Sequence, residues 1–290
     1  MFLFENEGAF MMDLVGFIKA LILGMVEGLT EFAPVSSTGH MIIVDDLWLQ
    51  SKEFLGSGYV ANTFKVVIQL GSILAVVVVF KERILDLLGL GKKVYKLGDK
   101  PPARLRLSHI ITGLLPAAVL GFFFEDIIDE YLFSVNYVVL ALIFGAVLMI
   151  IADRYSGKRP SVETVDEITY KQAFYIGLFQ CLSLWPGFSR SGATISGGVI
   201  MGLSHRAASD FTFIMAVPIM AGASFLSLVK NWEYFSADAW PFFVTGFISA
   251  FIFALVSIRF FWKLINRIKL VPFAVYRIVL ALLILFFLYM

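Results

Sequence analysis

Apolar residues fill this chain in long blocks, and the polar positions between them fall into two kinds. Six blocks, at about 60–80, 107–124, 135–152, 209–229, 240–262 and 272–290, are mostly apolar. Each approaches the roughly 20 residues that a helix needs to cross a bilayer, so each is a predicted span. Two further regions are apolar but broken. Residues 14–32 run into Pro34 and a Ser-Ser-Thr-Gly turn before another apolar-rich stretch, and residues 172–185 run into Pro186-Gly187 before a short segment that ends near 203. Proline and glycine end helices. Each broken region therefore predicts two half-length helices around a polar break, a re-entrant hairpin rather than a span. Irregular backbone at membrane depth is tolerated only inside protein or beside water.

The two broken regions align with each other at a constant offset. Gly24 meets Gly177, Leu29 meets Leu182, Ser36 meets Ser189, Gly39 meets Gly192 and Ile42 meets Ile195. Thr30/Ser183 and Thr38/Ser191 keep a hydroxyl, and Glu27 falls on Gln180. Each hairpin is followed by three spans. A hairpin returns to its own side and three spans cross over, so the second half is expected to be inverted relative to the first. The expected fold is an all-α polytopic membrane protein with inverted-topology repeats, each a re-entrant helical hairpin plus three transmembrane helices. Repeat one covers about 12–153 and repeat two about 171–290, within a single integral membrane domain over 12–290. Residues 1–11 are expected to be an N-terminal extension or remnant; they carry Glu5 and Glu7 and lack the basic start of a signal peptide. Inverted repeats with paired broken segments place a site near the bilayer midplane, at the repeat interface.

Composition supports the membrane reading. Of 290 residues, 59% are hydrophobic and 16% charged, against about 25% charged in soluble domains. The net charge of +1 gives no reason to expect a nucleic-acid partner; the expected surroundings are the lipid bilayer. The single cysteine, Cys181, excludes an intrachain disulfide and a CxxC redox centre and reads as a small packing residue. The loop charges set an orientation. Lys81, Arg83, Lys92, Lys93, Lys96, Lys100, Arg104 and Arg106 crowd one loop. Arg154, Lys158, Arg159 and Lys171 occupy a second, and Arg259, Lys263, Arg267 and Lys269 a third. A six-span count puts all three on one side, which the positive-inside rule makes cytoplasmic. The opposite loops hold Glu125, Asp126, Asp129 and Glu130, or Glu233 and Asp238. Both termini and the mouth of the first hairpin are then external, and the second hairpin enters from the cytoplasm.

The chemistry sits at the two breaks. Glu27 and Glu31 are four apart, on one face of a short helix. Two carboxylates together in a low dielectric need a cation or a shared proton. Their oxygens suit Mg²⁺ or Ca²⁺, which commonly take one or two carboxylates plus substrate phosphates. Ser36, Ser37 and Thr38 follow Pro34. They can simply cap a helix, or, with Glu31 and His40 close in sequence, supply a nucleophile with a base. Arg190, between Ser189 and Ser191 at a helix start, matches a phosphate bidentately. A helix N-terminus adds free N–H groups and positive potential, and Gly187 and Gly192 allow close backbone approach. The bland reading of Arg190 is an ion pair with Glu27 or Glu31 for folding alone. Gln69, His109, Gln180 and Asp153 read as packing hydrogen bonders or span-end residues, and Ser72 and Thr112 carry no signal.

The stretches Glu27-Gly-Leu-Thr-Glu31-Phe-Ala-Pro-Val-Ser-Ser-Thr-Gly-His40 and Pro186-Gly-Phe-Ser-Arg-Ser-Gly-Ala-Thr194 resemble the two signature motifs of the undecaprenyl-pyrophosphate phosphatase family, the bacitracin-resistance type. The resemblance runs from about Met12 to the C-terminus. It implies an integral membrane phosphatase that uses a divalent cation, Mg²⁺ or Ca²⁺, at the outer face of the bacterial cytoplasmic membrane. Its substrate would be a polyprenyl diphosphate lipid, undecaprenyl diphosphate, recycled to the monophosphate for peptidoglycan synthesis. By motif position, Glu27 and Glu31 would serve the metal or proton transfer. Ser37, with Ser36 as understudy, would be the nucleophile or a phosphate ligand, and His40 an acid or base. Arg190 would clamp the diphosphate, helped by Ser36, Gly187, Ser189, Ser191 and Thr194. A homodimer is compatible with this reading. A transporter that holds an anion or lipid headgroup at the same midplane site is the alternative class, and a structural scaffold would leave two buried charge clusters unexplained.

The loop charges generate the first prediction. On a Cys181→Ser background, a cysteine at Lys93 should react with a membrane-impermeant thiol reagent only after the cytoplasmic side is opened. Labelling from intact cells would reverse the orientation.

Overall fold

The computed structural model describes residues 2–91, 104–132, 134–156, 160–234 and 239–289. Among them it is all-helical, and six helices are long and apolar enough to cross a membrane. These are α4 (Gly58–Val79), α6 (Leu107–Leu132), α7 (Val135–Tyr155), α10 (His205–Lys230), α11 (Trp240–Ile268) and α12 (Val271–Tyr289). They start within about four residues of the six predicted blocks, while α6 and α11 run past the predicted ends to Leu132 and Ile268. Lys92, Lys93, Lys96, Lys100, Lys158, Arg159 and Asp238 of the orienting loops lie outside the described residues.

Both broken regions fold as helix, break, helix. The first comprises α1 (Phe2–Thr30), a turn through Val35, α2 (Ser37–Met41), a π-helical segment Ile42–Leu49 and α3 (Ser51–Phe54). The second comprises α8 (Tyr170–Cys181), a 3₁₀ turn Leu182–Leu184, a tight turn and α9 (Arg190–Ile200). Two local features depart from the sequence reading. The first arm is 29 residues long rather than half-length. No proline interrupts residues 2–30, and an isolated glycine costs a helix only about 1 kcal/mol. The return arm is π-helical rather than α-helical. It ends where Gln50 turns left-handed (φ 51°) and the Asp45 carboxylate accepts from Ser51 N and Ser51 Oγ, each at 2.8 Å.

Helices pack here through small residues, which let backbones approach where lipid supplies no hydrophobic drive. Along α1, Gly24 and Gly28 sit against the backbone carbonyls of Gly246 and Ala250 on α11. Ser249 and Ser257 of α11 donate to the Leu21 and Leu29 carbonyls at 2.7 and 2.9 Å. In the second half Gly177 of α8 meets the Gly113 carbonyl and Pro116 of α6. So the residue pair aligned by sequence, Gly24 and Gly177, makes the same kind of crossing twice. Two further pairings, α4 with α10 and α7 with α12, close the bundle. Side chains such as Phe122, Phe123, Phe260, Leu282 and Phe286 point outward, as a bilayer rather than water requires.

One face of the bundle is tied by two aspartates. Asp153, at the end of α7, accepts from His205 Nε2 at 2.7 Å and from the backbone N–H groups of Leu270 and Val271 at 2.8 and 2.9 Å. It thereby joins α7, α10 and the α11–α12 turn, which agrees with its reading as a span-end hydrogen bonder. Asp166 pairs with Arg83 at 2.5 Å and accepts from Leu105 N at 2.9 Å. α5 (Lys81–Leu87) and the start of α6 are thus fastened to the segment before α8. Asp153→Ala would leave two backbone donors and an imidazole without an acceptor, at about 1–3 kcal/mol for each unsatisfied group. The detergent-solubilised variant should melt several degrees below wild type, and an unchanged midpoint would show that water replaces the carboxylate.

Candidate active site

The two hairpin breaks have the same local geometry. Ser36 caps α2 with φ 72° and its Oγ accepts from Gly39 N at 3.3 Å. Ser189 caps α9 with φ 72° and its Oγ accepts from Gly192 N at 3.1 Å. Positive φ is uncommon for a residue with a Cβ and costs energy that the surroundings must offset. Such strain tends to cluster at functional sites. Here the same residue type, conformation and capping bond recur at positions that the sequence alignment pairs.

At the break tips, the two hairpins meet. Arg190, the first residue of α9, bonds Glu31 Oε1 through Nη2 at 3.1 Å and the Thr212 carbonyl through Nη1 at 3.2 Å. Ser37, the first residue of α2, donates to the other Glu31 oxygen, Oε2, at 2.7 Å. One buried carboxylate therefore holds a hydroxyl from its own hairpin and a guanidinium from the other. Ser191 Oγ adds a bond to the Ala33 carbonyl at 3.1 Å. Glu27 is buried one turn before Glu31, feels both Glu31 and Arg190 electrostatically, and leaves Oε1 without a hydrogen-bond partner.

The remaining predicted residues divide by position. Ser36 and Ser189 shape the breaks as caps, and Ser189 Oγ also lies 3.2 Å from Ser191 Oγ. Thr194 points away from the tip, bonding the Arg190 carbonyl at 2.8 Å and accepting from Thr212 at 2.8 Å. Gly187 turns with φ 92° hard against the Val138 backbone, where a side chain has no room. His40 is not brought to Ser37. Its Nδ1 lies 2.7 Å from the Ser36 carbonyl and its Nε2 2.7 Å from the Tyr276 hydroxyl. A carbonyl can only accept, so Nδ1 carries the proton and, in the neutral ring, Nε2 accepts from Tyr276. Gln180, expected to bond neighbours in the packing, is buried with neither amide atom partnered. It occupies the position aligned with Glu27.

Three residues that matter here were missed in the sequence. Arg277, in the middle of α12, is fully buried and donates through Nη2 to the carbonyls of Ala141 and Gly187, at 3.2 and 3.0 Å. It braces the Pro186–Ser189 turn from behind. A lone arginine inside an apolar span is itself a functional-site signal, and the span assignment hid it. Lys65 and Asn62 share one face of α4 with Gln69 and, with it, line a cavity of about 530 Å³. Glu27, Ser37, Thr38 and Asp46 complete its polar wall, and Met41, Ile42, Val66 and Val138 its apolar one. Gln69 thus faces the site instead of packing between helices. A larger cavity of about 1060 Å³ opens at the Asp166 face, among Lys81, Arg83, Arg206, Asp210 and Trp262. It holds no motif residue. Its Arg206 is stacked on Trp262 at 4.3 Å, and its Phe80 meets Phe213 edge-on, which in turn packs edge-on against Phe32, the residue after Glu31. Size therefore does not pick out the chemical site; the buried carboxylates do.

The arrangement suits an anionic ligand that needs positive charge, an activated hydroxyl and a hard cation. The orphaned Glu27 oxygen beside Glu31 fits a divalent ion, since hard cations take carboxylate oxygens. Among the described residues no third acidic, His or Cys side chain groups with them, so substrate phosphates would complete such a coordination shell. Fold and site together define a polytopic membrane protein with a buried Glu-Ser-Arg cluster at the junction of two broken hairpins. Comparison with known proteins narrows the class. Residues 20–283 match the family described as bacitracin resistance protein BacA, and the chain belongs to that family. It is 72% identical, over 94% of its length and 98% of the relative's, to a protein of Geobacillus sp. (strain WCH70) named undecaprenyl-diphosphatase. A Bacillus subtilis (strain 168) protein of the same name is 64% identical over 92% of this chain and 96% of its own.

The shared carboxylate generates a stability prediction. Arg190→Met should lose about 3–5 kcal/mol, because it leaves a buried carboxylate uncompensated. Adding Glu31→Gln should restore much of that loss. Thermal unfolding of the two single variants and the double variant tests the coupling. Additive losses would show that the pair does not interact.

Proposed function

We infer that this protein is a membrane phosphatase that hydrolyses undecaprenyl diphosphate to undecaprenyl phosphate and inorganic phosphate. The relatives named undecaprenyl-diphosphatase, alike over nearly their whole length, support the substrate. The observation that carries the chemistry is the 2.7 Å bond from Ser37 to Glu31, with Arg190 on the other oxygen of the same carboxylate. Phosphoryl transfer asks for positioning and charge neutralisation more than for covalent ingenuity, and this cluster offers both.

Ser37 Oγ attacks the terminal phosphorus while Glu31 takes its proton. The bond from phosphorus to the bridging oxygen breaks, and the lipid monophosphate leaves. Water then attacks the phosphoserine phosphorus and the Ser37 Oγ–phosphorus bond breaks; protonated Glu31 returns its proton to Ser37, takes one from the water in exchange, and releases that proton to solvent as phosphate leaves. Serine needs such a base to act near neutral pH, and Glu31 rather than His40 is within reach. Arg190 moves from Glu31 to the phosphate oxygens when substrate enters, which frees the carboxylate for the Ser37 proton. His40 holds the Ser36 carbonyl and so keeps Ser37 at the start of α2. A divalent cation held by Glu27 and Glu31, Mg²⁺ or Ca²⁺, would neutralise diphosphate charge.

The two halves, in this reading, are inverted repeats. Supporting it are the paired serine caps, the paired glycine crossings and the identical order of hairpin and three spans. The basic loops support a bacterial cytoplasmic membrane location with the Ser37 cavity open to the outer face. Hydrolysis there returns the lipid carrier to cell-wall synthesis, and removal of the diphosphate that bacitracin targets gives resistance.

The test is phosphate release from a prenyl diphosphate in detergent, with no gradient across any membrane. Arg190→Lys keeps the charge but loses the planar fork, and loss of one strong transition-state donor costs about 10²–10³-fold in rate. Ser37→Ala should be inactive and Ser36→Ala partly active. Acid quench of wild type with terminally ³²P-labelled substrate should trap label on the protein. Absent label together with substantial turnover by Ser37→Ala would give the attack to water instead.

A further inference from the structure

We propose that Lys65 is the residue that binds the carrier-side phosphate of the diphosphate. It would form a second phosphate subsite next to the one at Ser37, Glu31 and Arg190. The inference rests on the phosphatase reading and extends it.

Glu27, Ser37, Asp46, Asn62 and Lys65 all line the one cavity of about 530 Å³. If the transferred phosphorus sits at Ser37 Oγ, the second phosphate must lie one bridging oxygen away, within this cavity. Lys65 is the one cation among the described residues that line it. Asn62, Lys65 and Gln69 recur at intervals of three and four along α4, so they form one polar stripe on an apolar span. Polar groups so placed inside a membrane protein are costly and mark a ligand path. Met41, Ile42, Val66 and Val138 share the cavity and offer apolar surface to the first isoprene units.

Lys65 is held ready by two carboxylates. Its ammonium lies 2.7 Å from Asp45 Oδ2 and 2.7 Å from Asp46 Oδ1. The two partners differ. Asp45 is 2% exposed and anchored by Ser51, whereas Asp46 is 50% exposed and makes only this bond among those described. An exposed ion pair is weak. Lys65 can therefore exchange Asp46 for a phosphate oxygen while Asp45 keeps the ammonium in the cavity. A lysine serves here as a compact point charge with rotatable donors, which suits a phosphate that changes charge when its neighbour is removed.

The experiment uses the full-length protein in detergent, with a prenyl diphosphate as substrate and two inhibitors as probes. A prenyl monophosphate, the product, places its phosphate in the Lys65 subsite. Inorganic phosphate occupies the terminal subsite. Loss of a charge-assisted bond made equally in ground and transition states raises KM and spares kcat, by about 10–100-fold. Lys65→Met should raise KM and weaken inhibition by prenyl monophosphate in parallel, with kcat and inhibition by inorganic phosphate close to wild type. Asp46→Asn should lower KM or leave it unchanged, because it removes the competing carboxylate. The double variant Lys65→Met/Asp45→Asn removes the buried acid that Lys65→Met leaves without its cation, and it should match Lys65→Met in KM.

A merely structural lysine would move differently. Lys65→Met would then lower thermal stability and kcat, Asp46→Asn would impair in the same direction, and both inhibitors would weaken together. That pattern, or an unchanged KM in a folded Lys65→Met protein, overturns the subsite. Failure of the parent reading looks different again, since wild-type protein would then release no phosphate from any prenyl diphosphate.

Discussion

The carboxylate of Glu31 is where the two halves of this protein are joined chemically. A buried carboxylate is costly unless its oxygens are matched by donors, and here one oxygen takes Ser37 and the other takes Arg190. Those two donors arrive from different hairpins, each at the first residue of a helix that starts at a break. The requirement to satisfy Glu31 thus draws the two tips together, alongside the Ser191 bond to the Ala33 carbonyl. In the proposed mechanism the same pair is exchangeable, a phosphate oxygen replacing the carboxylate as the partner of Arg190. Folding and ligand binding draw on one set of hydrogen bonds.

Everything around the pair serves to hold backbone where a membrane normally forbids irregular structure. Strained serine caps at φ 72° start α2 and α9, and Arg277 supports the turn before the second of them by bonding the Gly187 carbonyl at 3.0 Å. His40 does the corresponding work for the first break through the Ser36 carbonyl. Small-residue crossings at Gly24 and Gly177 bring α1 against α11 and α8 against α6. Asp153 and Asp166 gather the ends of the spans on one face. The strain is thereby carried by rigid neighbours on every side.

The cavity beside the pair offers three kinds of wall. In the proposed reading, carboxylates and Ser37 would serve the reacting phosphate, Lys65 the retained one, and aliphatic side chains of α2, α4, α7 and the π-helical segment the hydrocarbon. Behind Glu31, Phe32 packs edge-on against Phe213, and Phe213 against Phe80.

Much of this was legible in the chain as written. The six spans, the two broken hairpins and the motif residues Glu27, Glu31, Ser37 and Arg190 stand out because a polar break in an apolar run is a local signal. Helix breakers and intramembrane charges need no knowledge of neighbours to be recognised. The partners of those charges were not legible. Glu31 and Arg190 are 159 residues apart, His40 and Tyr276 236, and only packing decides that Glu31 rather than His40 meets Ser37. Lys65, Asn62, Gln69 and Arg277 were concealed for the same reason. Within an apolar span a single polar residue can face lipid, packing or a cavity, and the helix's neighbours alone determine which.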